Sequence, residues 1–377
     1  MVWLFWLSLA FLIYTLFGYP LLLALLTRLT GKLHRRAPIW PRVSVIIVGH
    51  NAAEDIEQKI ENTLALRYPM DKWEIIVASD GSTDATADLV RKFSHVGVRL
   101  IEIPERRGKH SAQMVARDAS WGEILVFTDV GVGLEPDALE KIVSNFADPS
   151  VGCVSSEDRI TLGGNIDLAE PSYVDFEFRL RRMESKVKSL VSASGSFFAA
   201  RREVCEVWHP DQSSDFFVPL HTVARGLRAV VDPESKGFYG LASSTQAEFP
   251  RKVRTIVHGL VVFFSHLELL NPVQYGFFSL QLLSHKFFRW LVPFAAFGLL
   301  VSSPFLWDSG VFYRVCVVGQ AAFYSMALAV RLSSRLSRVR PFRLAGFFVM
   351  GNLATLNAFL AYFGGEKFVT WSPTRRN

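Results

Sequence analysis

Apolar residues fall along this chain in two rhythms. Residues 3–26, 287–306, 311–330 and 344–363 are nearly continuous apolar runs, each long enough to cross a bilayer. Between Arg28 and Lys286, short apolar bursts instead alternate with amphipathic segments. Residues 74–78 are a brief, β-branched run of the kind that fills a buried parallel sheet, 43–48 read as a buried strand, and 98–103, 123–128 and 151–155 as further strands. Between them, Ile56, Ile60 and Leu64 repeat at helical spacing, a helix follows residue 84 to about 93, and another covers 109–119. Pro136 opens a further helix whose inner face is Leu139, Ile142, Val143 and Phe146. This regular alternation predicts an α/β fold, a doubly wound, mostly parallel sheet.

After Ser156 the rhythm changes. A long helix is expected over 171–190, a small-residue loop over 192–200 entering a strand, a helical run over 216–224 and a strand over 228–232. Residues 250–284 are apolar but broken by Arg251, Lys252, Arg254, His258, His266, Glu268 and Pro272. They are expected as amphipathic helices in the headgroup layer. The expected organisation is therefore an N-terminal transmembrane anchor at 1–27 and a soluble domain at 40–249. Interface helices follow at 250–285, and a C-terminal region at 286–377 carries about three transmembrane helices.

Charge orients these anchors. Arg28, Lys32, Arg35, Arg36 and Arg42 follow the first run, and Arg331, Arg335, Arg338, Arg340 and Arg343 separate the last two. By the positive-inside rule the soluble domain and the 331–343 loop lie in the cytoplasm, with the chain an integral protein of the cell (inner) membrane. Four full spans would place Lys367, Arg375 and Arg376 outside, so either the last run is re-entrant or tilted, or the rule yields there. The net charge of +6 comes largely from these flanks and indicates anionic membrane lipids as partners, not nucleic acid. Cys153, Cys205 and Cys316 have no metal-ligand spacing, so no zinc site is expected.

Candidate chemistry gathers where strands end. Asp80 closes the second strand in Asp80-Gly-Ser-Thr-Asp84, with Ser82 or Thr83 placed to cap the next helix, and Asp129 closes the fourth. In open α/β sheets the carboxyl edge is the ligand edge, although an isolated Asp-Gly also serves simply to shape a turn. Arg106-Arg107-Gly108-Lys109 closes the loop after the third strand, where backbone amides and cations suit a diphosphate. Acids for a divalent cation beside bases for phosphate describe a nucleotide site.

In order and spacing, these stretches resemble the membrane-associated, inverting family 2 glycosyltransferases of GT-A fold, over nearly the whole chain. The resemblance rests on 45–51, 80–84, 107–109, 122–129 with 134–139, Ser194-Gly195-Ser196, Ser214-Asp215-Phe216 and Arg251-Lys252-Val253-Arg254. It implies that Val48, His50 and Asp80 hold the base and ribose of a nucleotide sugar, with Arg107, Lys109 and Asp129 at its diphosphate. His50 also reads as a plain polar loop residue. Asp129 begins the family's Asp-x-Asp motif, whose second position here is Gly131. A Mg²⁺ or Mn²⁺ would then rest on Asp129 and substrate phosphates. Asp215 matches the general base, against the alternative of a helix cap. Glu157, Asp158 and Asp211 are the other acids for that role.

Arg254 matches the arginine of the family's Gln-x-x-Arg-Trp segment and would stabilise the departing diphosphate; Arg251 and Thr255 replace the Gln and Trp. Ser194, Gly195 and Lys252 would face the acceptor. The implied function is inverting transfer of a sugar from a nucleotide diphosphate sugar to a membrane-presented, lipid-linked or glycan acceptor at the cytoplasmic face. Its rivals are a processive polysaccharide synthase and a non-catalytic nucleotide-binding scaffold, the latter favoured by Gly131 and Ser214.

Overall fold

The computed structural model describes residues 1–161, 169–206, 208–240, 245–333, 336, 339–366 and 368. Among these residues ten strands run in chain order: β1 Val43–Gly49, β2 Trp73–Asp80, β3 Val98–Ile103, β4 Ile124–Asp129, β5 Gly133–Leu134, β6 Val151–Ser156, β7 Arg159–Thr161, β8 Phe197–Arg201, β9 Arg228–Asp232 and β10 Gly237–Gly240. Seven form one sheet in the order β3-β2-β1-β4-β8-β6-β9; β5, β10 and β7 form a small second sheet. In the large sheet β8 alone is antiparallel to its neighbours. Every residue of β1 and nearly every residue of β2 and β4 is buried, because helices cover both faces.

The chain steps outward from β1 to β3, then returns to the other side of β1 with β4. That reversal makes β1 the topological switch point, where a crevice opens beyond the carboxyl ends. In register, Val48 lies level with Ala78 on one side and Asp129 on the other. The three strand ends that carry Val48, Asp80 and Asp129 therefore share one edge.

One hydrophobic cluster runs without a break from the sheet into the apolar helices. It joins Ile46, Phe127 and Phe198 to Phe216, Leu260, Phe263, Phe278, Trp290 and Phe359. The expected interface region forms helices Thr245–Phe264, Pro272–Tyr275 and Phe277–Leu282. The helix expected over 171–190 is observed at Ala169–Val187, and Leu180 packs on Tyr19 and Leu23 of the N-terminal helix.

Among the described residues three helices are long and apolar enough to cross a membrane: Val2–Thr30, Val311–Leu332 and Arg340–Phe363. The run at 287–306 is not one of these three: its helix, Phe288–Ser302, has 15 residues of its own and ends ahead of Pro304, but it continues without a break from Phe277–Leu282 through a π turn at Leu283–Phe287. It runs antiparallel along the N-terminal helix: Tyr14 meets Ser284 (2.8 Å) and Phe288, and Ser8 fills the space beside Gly298. Val311–Leu332 starts at the opposite end of that helix, where Phe312 stacks on Trp6.

Arg340–Phe363 lies lengthwise along Thr245–Phe264. Phe347 sits under Lys252, Ala354 and Ala358 pack with Val253 and Val257, and Tyr362 stacks on Phe264 at 5.5 Å. Beyond it the carbonyl of Phe368 accepts a hydrogen bond from His258 Nε2 at 2.6 Å. Both ends of this helix thus touch the helix that borders the sheet domain. Of the C-terminal basic residues, Lys367, Arg375 and Arg376 fall outside the described residues, as do Arg335 and Arg338 of the preceding loop.

Candidate functional site

Asp80 is almost fully buried at the end of β2, and its carboxylate accepts the amides of Arg107 at 2.7 Å and Gly108 at 2.8 Å. The acid thus clamps the loop after β3 over the strand ends. Gly81 makes the crossing possible: with φ at +58°, an added Cβ would lie 2.4 Å from the Arg106 amide. The sequence-predicted cap is corrected here. Asp84, not Ser82 or Thr83, accepts the Thr86 amide (3.0 Å) at the start of helix Thr86–Arg91, and its other oxygen accepts the Ala53 amide (3.1 Å). His50 Nδ1–H donates to the Asp80 carbonyl at 2.7 Å, which leaves Nε2 for other partners. Val48, beside it, is buried in β1.

Lys109 connects the two halves of the crevice. Its ammonium lies 2.5 Å from Asp129 Oδ1 and donates to the Gly195 carbonyl at 3.2 Å. Gly195 in turn closes on Asp215: a Cβ there would meet Asp215 Oδ2 at 3.1 Å. Lys109, Asp129, Gly195 and Asp215 therefore form one contiguous group, spanning from the strand edge to helix Ser214–Ala224. Ser194 adjoins them, its hydroxyl donating to Asp158 and its amide to Ser155 Oγ at 2.8 Å.

Asp215 does not cap its helix. Ser213 occupies that position without a side-chain bond, and Asp215 sits in the first turn. The Ser214 amide instead donates to His110 Nδ1 at 3.3 Å. An accepting Nδ1 requires a neutral imidazole. Burial, with Lys109, His258 and Arg254 adding positive charge nearby, holds the His110 pKa well below 6.5. His110 lies edge-to-face with His258, ring centroids 5.6 Å apart. Burial also lowers the pKa of His258, while Asp215 and Asp211 oppose that shift.

The rival acids are otherwise engaged. Glu157 is gripped by both nitrogens of the Arg182 fork and by Arg159 at 3.0 Å. Asp158 is buried beneath Ser156 and Ser194, and burial raises its carboxyl pKa. Asp211 lines a cavity of about 110 Å³ with His258, Tyr362, Glu366 and Phe368. Arg254 is on helix Thr245–Phe264, close enough to both histidines to depress their pKa values. Lys252 is not brought to this group; it pairs with Glu248 at 3.0 Å and covers the Phe347 ring. The Arg107 side chain is exposed at the loop surface.

Lys59 is a site residue that pattern reading passed over. It is 3 % exposed and its ammonium donates to Thr128 Oγ1 at 2.8 Å and to the Val132 carbonyl at 2.6 Å, bracketing the turn that bears Asp129 and Gly131. Burial pulls its pKa down to about 7 against the opposing pull of Asp129 and Asp158. The signal was present: Lys59 falls at the i+3 position of the buried stripe Ile56, Ile60 and Thr63.

Among the described residues no three His, Cys, Asp or Glu side chains converge as a metal cage. Asp129 offers one carboxylate, already drawn to the cation of Lys109, and the space a Cβ at Gly131 would enter is open. Such a set fits a Mg²⁺ or Mn²⁺ completed by waters and substrate phosphate oxygens, the usual habit of Mg²⁺.

A switch-point crevice with an acid on either side and a cationic loop between them is the architecture of a GT-A glycosyltransferase. Residues 44–208 match the model of glycosyl transferase family 2, so the chain carries a family 2 glycosyltransferase domain. Over 134 residues it is 31% identical to the glycosyltransferase AglE of Haloferax volcanii, covering 35% of this chain and 41% of that protein. Over 202 residues it is 28% identical to the poly-β-1,6-N-acetyl-D-glucosamine synthase of Staphylococcus aureus, covering 51% and 48% respectively. The chain thus spans about half or less of the length of these curated relatives. The mannosyltransferase PcManGT from Pyrobaculum calidifontis, solved with GDP-Man and Mn²⁺, superposes with a TM-score of 0.75 at 25% identity. That match covers 97% of this chain and 100% of the other, so it takes in apolar helices as well as the sheet.

Proposed function

We propose that this protein is an inverting glycosyltransferase that moves a sugar from a nucleotide diphosphate donor to a lipid-linked acceptor at the cytoplasmic membrane face. The observation that carries this reading is the continuous group Lys109–Asp129–Gly195–Asp215, which sets a diphosphate-side cation and an acceptor-side carboxylate across one crevice. Val48 and His50 border the base and ribose, and Asp80 acts through the Arg107–Gly108 backbone it clamps. A Mg²⁺ or Mn²⁺ on Asp129 and the donor phosphates would supply charge neutralisation for the leaving group. Lys109 and Arg254 supply further positive charge there.

Asp215 takes the proton of the acceptor hydroxyl as its oxygen bonds to the anomeric carbon; on the opposite face the bond to the diphosphate breaks, and the nucleoside diphosphate departs. Attack opposite the leaving group inverts the configuration. The acceptor is held to the membrane because the crevice is sealed on one side by the helices that continue into the apolar region. A panel of nucleotide sugars, assayed with purified protein in membranes for release of nucleoside diphosphate, tests the reading. One or a few donors should turn over; binding without release from any would favour the scaffold.

The contacts also support a topology. Val2–Thr30, the helix ending at Ser302 and Val311–Leu332 would traverse the bilayer, whereas Arg340–Phe363 would lie along the interface beside Thr245–Phe264. This arrangement keeps the basic 331–343 loop and the C-terminal tail both in the cytoplasm, in accord with the positive-inside rule. A cysteine at Glu366, in a background without Cys316, should react with an impermeant maleimide only when the cytoplasmic face is open. Labelling from the outside would refute the arrangement.

A further inference from the structure

Beside Asp215 lies a pair of cations that the transfer chemistry leaves unused. The Lys286 ammonium sits 4.9 Å from the centroid of the Phe216 ring, and Phe216 is the residue after Asp215. Arg181, on helix Ala169–Val187, has a buried Nε without a hydrogen-bond partner. Among the described residues neither side chain forms an ion pair. The nearby acids have other ionic or hydrogen-bond partners: Glu177 pairs with Arg289 at 2.6 Å and His285 at 3.2 Å, while Glu184 accepts from Tyr19 at 2.5 Å and His285 at 2.8 Å through one oxygen and leaves the other, Oε2, without a partner among the described residues.

Partly buried, unpaired cations carry a desolvation cost that an anionic ligand would offset. Their height relative to the bilayer says which anion. Leu180, next to Arg181, packs on Tyr19 and Leu23 of the N-terminal helix, and Lys286 lies within the helical run that packs along that same helix, between Ser284, which meets Tyr14, and Phe288, which meets Phe11. A lipid resting on this apolar surface would bring its headgroup to Lys286 and Arg181. A guanidinium fork together with an ammonium point charge is the pairing that suits phosphate oxygens.

We propose that Lys286 and Arg181 bind the phosphate or diphosphate that joins an acceptor sugar to its lipid, and so present the sugar hydroxyl to Asp215. This rests on the glycosyltransferase reading above and names the acceptor class. The test uses full-length protein in phosphatidylcholine nanodiscs, titrated with farnesyl diphosphate, farnesol, phosphatidylglycerol and inorganic phosphate, with tryptophan fluorescence as the binding signal. Farnesyl diphosphate should bind more tightly than the other three. Lys286→Met with Arg181→Gln should weaken that binding by about tenfold or more. Nucleotide binding should be unchanged, which also shows that the variant is folded, and Lys286→Arg should restore most of the affinity.

Equal binding of farnesol or inorganic phosphate, or no effect of the double variant, would overturn the proposal. Equal binding of phosphatidylglycerol would reduce the pair to a general lipid-surface contact and overturn it too. The two readings fail separately. Farnesyl diphosphate binding without nucleoside diphosphate release from any donor would sink the transferase and leave this site standing; donor turnover without phosphate preference would do the reverse.

Discussion

Asp215→Asn is expected to lower sugar transfer by about two to four powers of ten while donor binding stays nearly intact. An amide cannot take the proton of the acceptor hydroxyl, but it keeps the shape of the carboxylate against Gly195, whose Cα faces Asp215. The helix should survive, because its first amide is met by His110 and Asp215 is not the cap. Loss of activity with an unchanged melting temperature would therefore report chemistry and not folding. Asp211→Asn is the control, since that acid lines the cavity at His258 and is not in contact with Gly195. Equal rates for Asp215→Asn and the parent protein would reassign the base.

Asp129→Asn should cost more than about a hundredfold in transfer, from lost charge stabilisation at the leaving diphosphate. Excess chelator should reproduce the loss in the parent protein. Metal affinity should be weak, since Gly131 contributes no side chain and Lys109 competes for Asp129 at 2.5 Å. Full activity in chelator would remove the ion from the account and leave Lys109 as the cation at that position. Comparing chelated parent with Asp129→Asn separates the ion's contribution from that of the carboxylate itself.

How much of this was legible in the sequence depended on how local the signal was. Whereas β3, at the sheet edge, carries exposed Arg99 and Glu102, β1, β2 and β4 announced themselves because a strand buried inside a parallel sheet needs no alternation, so an apolar run is its signature. β5, β7 and β10 did not, since strands of two to four residues are fixed by pairing partners far along the chain. Asp80 and Asp129 were found from their place at strand ends. That Asp80 clamps the loop after β3 was not legible, because the clamp is a contact across 27 residues. Lys59 was missed because a lysine in an amphipathic helix is ordinarily read as solvent-facing, and only its place in the buried stripe marked it otherwise. The apolar runs were legible as apolar, but not their bounds or neighbours: Phe288–Ser302 continues back through Leu283–Phe287 into Phe277–Leu282, and Arg340–Phe363 follows Thr245–Phe264 because its alanines fit Val253 and Val257.

The central claim is inverting transfer in a crevice held between Asp129 and Asp215. Its most direct measurement is the anomeric configuration of the product, read by NMR after transfer from a single donor whose linkage to the diphosphate is known, with nucleoside diphosphate release followed in the same reaction. The account predicts stoichiometric release and a product linkage opposite to that of the donor. Retention of configuration, or release of nucleoside diphosphate with no glycosylated lipid formed under saturating acceptor, would contradict it.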